Sequence, residues 1–353
     1  MKRRGIIYDV GTVFTGFGWK VKTRPRFELG VVQRELEIVR DDLHANAVRL
    51  RGRDVGRLVE AGRLALDAGL EVLLSPERFF TTAPDTVNYL TSAARAAESL
   101  RQRYPERVML SVASEATLFV RGIVAGATIQ GRMANLKQEI HTDRYAASLR
   151  AFLAAAVEAA RREFHGPVTY AALPFEPVDW GTFDLVGVDH YRDARVKDRY
   201  EEMLQPWLAT GKPVLVTEFG MRTYRGAASS GALGFGIADQ RSVFWHQVPL
   251  LGRFVRRRLQ PGDHVRDEAA QARELVETLS ILDSAGVEGA FVGELVSPES
   301  PFDPDPTYDL DMSSFSLVRT LPGGGHGIRY PDMAWEPKEA FDAVGTFFAE
   351  SGA

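Results

Sequence analysis

Two glutamates lie at the ends of apolar stretches of the sequence, and their carboxyl groups could act as a pair. Glu115 follows Ser111–Ser114, and Glu218 follows Val214–Thr217, so each comes directly after four mainly apolar or small residues. A carboxyl group at the end of a buried strand of a barrel is more typical of a site than of the core. Two such groups across a cleft are the minimal apparatus for cleaving a glycosidic bond, because one protonates the leaving oxygen while the other attacks carbon or activates water.

An arginine and a tyrosine are placed to hold one of these carboxyl groups ionised. Arg49 lies inside an apolar stretch, and Tyr191 ends another. Positive charge and a hydroxyl donor both favour the carboxylate form. Because side chains alternate along a strand, Asp189 shares the face of Tyr191, and His190 faces the cavity only if the strand end departs from alternation.

Further candidates for binding a ligand lie near other strand ends. Glu294 is a third carboxyl group, which either contacts substrate or pairs with Arg49 or Arg51. Trp180 and Trp245 are candidate platforms, since indole rings stack on sugar faces.

The elements that must position these residues are eight short stretches dense in Val, Ile and Leu that end in Gly, Pro or a polar residue. They are Gly5–Gly11, Asn46–Gly52, Glu71–Glu77, Val108–Glu115, Pro167–Pro174, Leu185–Tyr191, Pro213–Gly220 and Gly289–Val296.

Amphipathic stretches fill most of the gaps between these strands, with apolar residues spaced by three and four. Gly69, Gly211 and Gly286 follow three of them, as expected after a last helical turn. Strands alternating with helices predict an α/β fold, a (β/α)₈ TIM barrel, with a degenerate repeat where Phe175–Asp184 is too short for a helix. The surplus length predicts long loops after strands 4, 7 and 8. The predicted helices are Val32–Leu43, Arg53–Ala68, Pro84–Arg103, Asp143–Phe164, Tyr200–Thr210 and Asp267–Ala285.

Several of these segments resemble glycoside hydrolase clan A. The resemblance lies in Glu115 and Glu218 closing strands 4 and 7, and in the segments Asn46–Leu50, Gly187–Tyr191 and Pro213–Gly220. The order of strands and helices resembles the clan over most of the chain, but only these segments match it residue by residue. The Thr-Glu-Phe-Gly sequence at the end of strand 7 is the strongest match.

The resemblance implies a barrel that hydrolyses a β-glycosidic bond with retention of configuration. By the resemblance Glu218 is the nucleophile, Glu115 the general acid and base, and Arg49 and Tyr191 the groups that hold the nucleophile.

Two departures from the clan affect the substrate rather than the chemistry. Ser114 precedes the acid/base position, where the clan usually has an Asn that binds the sugar 2-hydroxyl. Strand 8 reads Ala290–Leu295 without the Trp that often forms a sugar platform there. The two departures therefore leave the expected reaction unchanged and argue against an ordinary pyranoside as the substrate.

The composition excludes several other classes. The chain has 353 residues, a net charge of −4 and no cysteine. It therefore lacks the basic surplus expected of a nucleic-acid partner, and it can form neither disulfides nor thiolate metal sites. No membrane-spanning stretch is present and no export signal follows the basic start, so a cytoplasmic location is expected.

No metal or cofactor is expected either. The seven histidines show neither His-x-His nor His-Glu-x-x-His spacing. The aspartates of Asp303–Asp311 could bind calcium through oxygen ligands, but the two prolines among them favour a solvated or cleft-lining turn.

The sequence thus predicts one catalytic barrel domain, residues 1–353, acting on a carbohydrate as a retaining β-glycoside hydrolase or transglycosidase. Two alternatives remain open. One is a barrel that has become a carbohydrate-binding or regulatory protein, and the other is an enzyme that uses the two glutamates on a ligand other than a sugar.

Overall fold

The predicted strands form a closed parallel barrel, in which each strand pairs with two neighbours in the order β1-β8-β7-β6-β5-β4-β3-β2. The computed structural model describes residues 1–16, 19–232, 237–248, 250 and 252–352. All eight strands lie within a few residues of their predicted positions, so the predicted (β/α)₈ fold is confirmed. The strands are β1 (Arg3–Gly11), β2 (Ala47–Gly52), β3 (Glu71–Pro76), β4 (Val108–Ser114), β5 (Val168–Ala172), β6 (Val186–Asp189), β7 (Val214–Phe219) and β8 (Gly289–Val292).

Helices cover the outside of the barrel, and their ends follow the local sequence. The side chains of Asp54, Thr82, Thr142 and Asp267 each accept a hydrogen bond from a backbone N–H in the first turn of a helix. The helices are α1 (Leu29–Asp41), α2 (Val55–Asp67), α3 (Ala83–Arg103), α4 (Asp143–Glu163), α5 (Gln205–Leu208), α6 (Glu268–Ser284) and α7 (Glu339–Glu350).

Two helices differ from the prediction. The helix expected over Tyr200–Thr210 is a 3₁₀ turn, Glu202–Leu204, followed by the single turn of α5. Pro206 explains the difference, since a proline has no N–H to donate and fits only the first turn of a helix.

The segment between β5 and β6 contains only the 3₁₀ turn Trp180–Thr182, which confirms the degenerate repeat. Helix α7 was not predicted, although its buried residues Phe341, Val344 and Phe348 have helical spacing.

The interior of the barrel changes from apolar to polar along the strands. Its first layers are a buried apolar cluster of Ile7, Ala47, Leu73, Met109, Leu185, Leu215 and Phe291. Arg49, Ser75 and Thr217 lie two residues further along β2, β3 and β7, and all three are buried. The apolar layers therefore form the floor beneath a polar layer at the carboxyl ends of the strands, where barrel enzymes carry their sites.

Three long connections follow β4, β7 and β8. They include the helices Ala116–Phe119, Ile129–Glu139 and Gln240–His246, and the antiparallel ribbon of Val318–Thr320 with Trp335–Pro337. Short ribbons also pair Val13–Gly16 with Trp19–Lys22 and Thr81–Thr82 with Val120–Arg121.

Buried ion pairs join two of these connections. Arg266 donates to Asp309 and Asp311 at 2.8 Å, and the ammonium of Lys338 lies 2.8 Å from Asp311. Three of the aspartates considered for calcium thus have basic partners, since Asp303 also pairs with Arg256. Within the described residues, no group of three or more His, Cys, Asp or Glu side chains is arranged to hold a metal ion. In that same part of the chain, no helix has the length and apolar character to cross a membrane.

Candidate active site

Arg49 lies at the centre of the polar layer and is completely buried. Its Nη1 atom donates to Glu218 Oε2 at 3.2 Å and to Asp189 Oδ1 at 3.1 Å. Its Nη2 atom donates to Glu77 Oε1 at 3.4 Å and to the hydroxyl of Ser114. A buried guanidinium is stable only with such partners, so Arg49 joins the ends of five strands into one network.

Glu218 has both carboxylate oxygens engaged by donors. Its Oε1 atom accepts from the Tyr191 hydroxyl at 2.5 Å, while Oε2 accepts from Arg49 and, at 3.4 Å, from Arg51. Burial alone would raise the pKa of this carboxyl group. The charges of Arg51 and Arg49 and the Tyr191 hydroxyl outweigh that effect and hold the pKa of Glu218 below its usual value. The side chain keeps 18% of its surface exposed, so it is an ionised group open to the cavity.

Glu115 has the opposite environment. Burial, followed by the negative charges of Asp189 and Glu218, raises its pKa well above the ordinary range, and Arg49 offsets this only in part. No ion pair or hydrogen bond engages the Glu115 carboxyl group within the described residues. The two glutamates predicted as a pair therefore have pKa values shifted in opposite directions, downward for Glu218 and upward for Glu115.

The backbone of Glu115 is held in a left-handed conformation, with φ 43° and ψ 51°. Such a conformation is uncommon for a residue other than glycine and persists only when its surroundings impose it. The hydroxyl of Tyr170 accepts from Ala116 N at 2.7 Å and donates to Glu176 at 2.7 Å, and Glu176 accepts from Thr117 N at 3.0 Å. These bonds fix the turn that begins at Glu115.

Asp189 bridges the two glutamates electrostatically. Its Oδ1 atom accepts from Arg49 and from the Thr217 hydroxyl at 2.6 Å. Its Oδ2 atom is buried and has no hydrogen-bond partner, and the residue is only 2% exposed. Burial raises the pKa of Asp189 to about 7, despite the opposing effect of Arg49.

Glu294 lies at the end of β8 and faces the same site. Its Oε1 atom accepts from the Ser297 hydroxyl, and within the described residues it forms no ion pair with Arg49 or Arg51. Burial and the negative charge of Asp9 raise its pKa to about 7. Of the two roles considered for Glu294, the structure leaves it available as a substrate contact.

Two predicted binding residues lie elsewhere. His190 is 1% exposed and packs outside the barrel, stacked on Tyr200 at 4.2 Å, because strict alternation holds and directs it away from Tyr191. Trp180 packs against Phe183 in the segment that replaces the missing helix. The ammonium of Lys212, which precedes β7, contacts the carbonyl oxygens of residues 181 and 183, so this segment lies at the amino-terminal end of the barrel. Neither residue can contact a ligand at the mouth.

The other tryptophan lies on a loop. Trp245 is 47% exposed on the helix Gln240–His246 in the connection after β7, where it contacts Phe244. Its role as a sugar platform remains a prediction.

The sequence analysis missed several residues of the site. Glu77 directly follows β3, and its Oε2 atom lies 3.2 Å from Arg51, while Asp9 lies near the end of β1, 4.0 Å from Arg51. Both carry the signal that identified Glu115 and Glu218, a carboxyl group at a strand end. Phe315, whose ring lies 5.3 Å from that of Tyr191 and 4.0 Å below the Arg222 guanidinium, comes from a long loop that offers no such signal.

Comparisons with known proteins bear on the fold. No protein-family profile matches the chain, and no curated protein matches its sequence. A solved structure titled as a complex of GH113 β-1,4-mannanase matches with a TM-score of 0.58 at 14% identity, over 98% of this chain and 98% of the other. The GH113 β-mannanase AaManA from Alicyclobacillus acidocaldarius matches with a TM-score of 0.55 at 16% identity, over 99% and 97%.

A β-glucuronidase from Ruminococcus gnavus also matches, with a TM-score of 0.54 at 14% identity, over 96% of this chain and 52% of the longer one. The resemblance to glycoside hydrolase clan A is thus confirmed for the fold. Similarity at this level establishes the shared barrel, whereas the chemistry must be argued from the residues at its mouth.

Proposed function

We propose that this protein is a retaining β-glycoside hydrolase or transglycosidase, with Glu218 as nucleophile and Glu115 as general acid and base. The observation that carries the proposal is the contrast between the two strand-end glutamates. Arg51, Arg49 and the Tyr191 hydroxyl lower the pKa of Glu218 despite its burial, while burial and neighbouring negative charge raise the pKa of Glu115. A lowered pKa favours the carboxylate that nucleophilic attack requires, and a raised pKa favours the acid that proton donation requires.

The first step forms a glycosyl ester. A carboxylate oxygen of Glu218 attacks the anomeric carbon, the bond from that carbon to the leaving oxygen breaks, and Glu115 gives its proton to the departing oxygen. Arg49, Arg51 and Tyr191 orient the attacking carboxylate by holding both of its oxygens.

The second step releases the sugar. Glu115, now ionised, removes a proton from water or from a sugar hydroxyl, whose oxygen attacks the anomeric carbon and displaces Glu218. Two inversions give net retention. No cofactor enters either step, and a single domain carries both glutamates.

The substrate class is a β-linked carbohydrate. Support comes from the site, together with a fold shared with structures titled as β-mannanases, a β-glucuronidase and a β-glucosidase. Ser114 does not carry the amide that the clan usually places there, and its hydroxyl is already engaged by Arg49. Recognition at the neighbouring sugar carbon therefore falls to other groups.

A trapping experiment tests the proposal. The protein is incubated with activated 2-deoxy-2-fluoro β-glycosides of the gluco, galacto, manno and xylo series, and its intact mass is measured. We expect a stable adduct of one fluorosugar that peptide mapping assigns to Glu218, and no adduct on Glu218→Gln. Absence of an adduct across the panel would favour a carbohydrate-binding protein or an enzyme acting on another kind of ligand.

A further inference from the structure

The side of the mouth formed by β8, β1, β2 and β3 holds more acidic than basic groups. Its basic groups include Arg51, whose guanidinium lies 3.2 Å from Glu77 and 3.4 Å from Glu218. They also include Arg49, which contacts the same two glutamates, and Arg24, whose charge acts on Asp9. The carboxyl groups that act on one another here are those of Asp9, Glu77, Glu218, Glu294 and Glu299. Burying this many carboxyl groups is costly unless cations accompany them.

Two of these carboxyl groups have room for a further donor. Among the described residues, Ser297 is the only donor to the Glu294 side chain, through Oε1, which leaves the Oε2 atom for a ligand. The Oε2 atom of Glu299 is buried and has no hydrogen-bond partner. The charge of Arg257 acts on Glu299, but no ion pair closer than 4.0 Å forms within the described residues. A buried acceptor without a protein donor is uncommon, so these oxygens favour a ligand that brings donors of its own.

The same deficit of donors extends to the centre of the site. Asp189, only 2% exposed, also leaves an oxygen without a partner. Burial is the largest cause that raises the pKa of Asp189, Glu294 and Glu299, and nearby negative charges add to it. Positive charge is therefore in short supply on both sides of Glu218.

The position of these carboxyl groups identifies the part of the substrate that meets them. Glu115 protonates the leaving group, so the leaving group lies beside β4. The sugar that becomes attached to Glu218 extends the other way, toward β8 and β1, where Glu294 and Asp9 lie. This step rests on the proposed function.

We propose that the retained sugar carries a protonated amine, which binds between Glu294 and Glu299, so that the preferred substrate is a β-glycoside of an amino sugar. An ammonium group supplies three donors and one positive charge, which matches the free acceptors and the acidic surplus. A neutral hydroxyl supplies one donor and no charge. A uronic acid would add another negative charge beside Glu294 and Glu299, which is unfavourable in a buried site.

A substrate panel tests this. We would measure kcat/KM for 4-nitrophenyl β-D-glucoside and β-D-mannoside, for their 2-, 3-, 4- and 6-amino-deoxy analogues, and for the β-D-glucuronide, at a pH where the amines are protonated. At least one amino analogue should exceed its neutral parent tenfold or more, and the glucuronide should fall at least tenfold below.

Matched variants assign the effect to these carboxyl groups. Glu294→Gln and Glu299→Gln keep the shape of the side chain but remove its charge, so each should lower the ratio of amino to neutral kcat/KM at least tenfold. Glu202→Gln, which neutralises an exposed glutamate in the 3₁₀ turn between β6 and β7, should leave the ratio unchanged. Circular dichroism checks that each variant is folded, and the substrate panel on the unmodified protein stands even if one is not.

The outcomes separate the two proposals. If neutral sugars are turned over as well as or better than every amino analogue, or if both variants keep the ratio, the amino-sugar proposal is wrong while the glycosidase remains. If no glycoside is hydrolysed and no fluorosugar adduct forms, both are overturned.

Discussion

The two sides of the barrel mouth place the same residue type in opposite environments. At the β7 end, Glu218 is surrounded by donors, two guanidinium groups and a tyrosine hydroxyl. At the β4 end, no cation in the described part of the chain contacts Glu115, which faces the charges of Asp189 and Glu218. The difference shows that the neighbouring strands, and not the glutamate itself, set the protonation state of each group.

The two glutamates are also held in position by different kinds of contact. Glu218 is fixed by bonds to its own side chain, whereas Glu115 is fixed through its backbone by Tyr170 and Glu176. A backbone clamp leaves the carboxyl group free to lose and regain a proton, which the proposed role of Glu115 requires.

The largest expected effect follows from removing the nucleophile. Glu218→Gln should lower kcat on any β-glycoside substrate by roughly 10⁴-fold or more, because no other group can form the glycosyl ester. Steady-state kinetics on the substrate found by the fluorosugar panel measures this. Glu202→Gln serves as the control, and a Glu218→Gln variant within tenfold of the unmodified protein would contradict the assignment.

Removing the acid should give an effect that depends on the leaving group. Glu115→Ala should lower kcat/KM for poorly activated glycosides by roughly 10²- to 10⁴-fold, and for a dinitrophenyl glycoside far less, since that leaving group needs no proton. For the dinitrophenyl substrate kcat should still fall, because the second step loses its base. Azide should restore turnover of the dinitrophenyl substrate and give a β-glycosyl azide, identified by NMR. No rescue by azide, or an α-configured product, would place the acid elsewhere.

A smaller effect is expected at the group that holds the nucleophile. Tyr191→Phe removes a donor that favours the ionised form of Glu218, so the pKa of Glu218 rises and the acidic limb of the kcat/KM profile moves to higher pH. We expect kcat to fall roughly ten- to a hundredfold, given the loss of one charge-assisted hydrogen bond. Tyr104→Phe, which loses its hydroxyl bond to Asp67 on the outer surface, should change neither quantity. An acidic limb that does not move would mean that Tyr191 acts otherwise.

The smallest effect is expected at Asp189, and it should distinguish the environment of Glu115 from that of Glu218 most clearly. Asp189→Asn removes a negative charge that raises the pKa of Glu115, so that pKa falls and the alkaline limb of the profile moves to lower pH. We expect kcat/KM at its optimum to change by roughly tenfold or less, as Arg49 keeps its other partners. Asp332→Asn, at an exposed ion pair with Arg34, is the control. A shift of the alkaline limb to higher pH would contradict the electrostatic account of Glu115.

The sequence by itself determined the parts of this protein that depend on local pattern. Short apolar stretches alternating with amphipathic ones gave eight strands close to their true bounds, and Pro206 alone accounts for the shortened helix. The period of two along a strand placed Asp189 and Tyr191 on the inside and His190 on the outside, so the inclusion of His190 in the site went against the stronger rule. The positions of Glu115, Glu218 and Arg49 along their strands likewise predicted that all three lie toward the carboxyl-terminal face of the barrel.

Only the tertiary structure decided what these residues can do. Arg49 contacts side chains from β3, β4, β6 and β7, which are distant in the sequence, and those contacts set which glutamate is ionised. Glu77, Asp9 and Glu299 lie at the site because closure of the barrel brings the ends of their strands together. Trp180 lies outside the site because its segment is at the amino-terminal end of the barrel. Protonation depends on distances between groups on different strands, and local sequence patterns do not contain those distances.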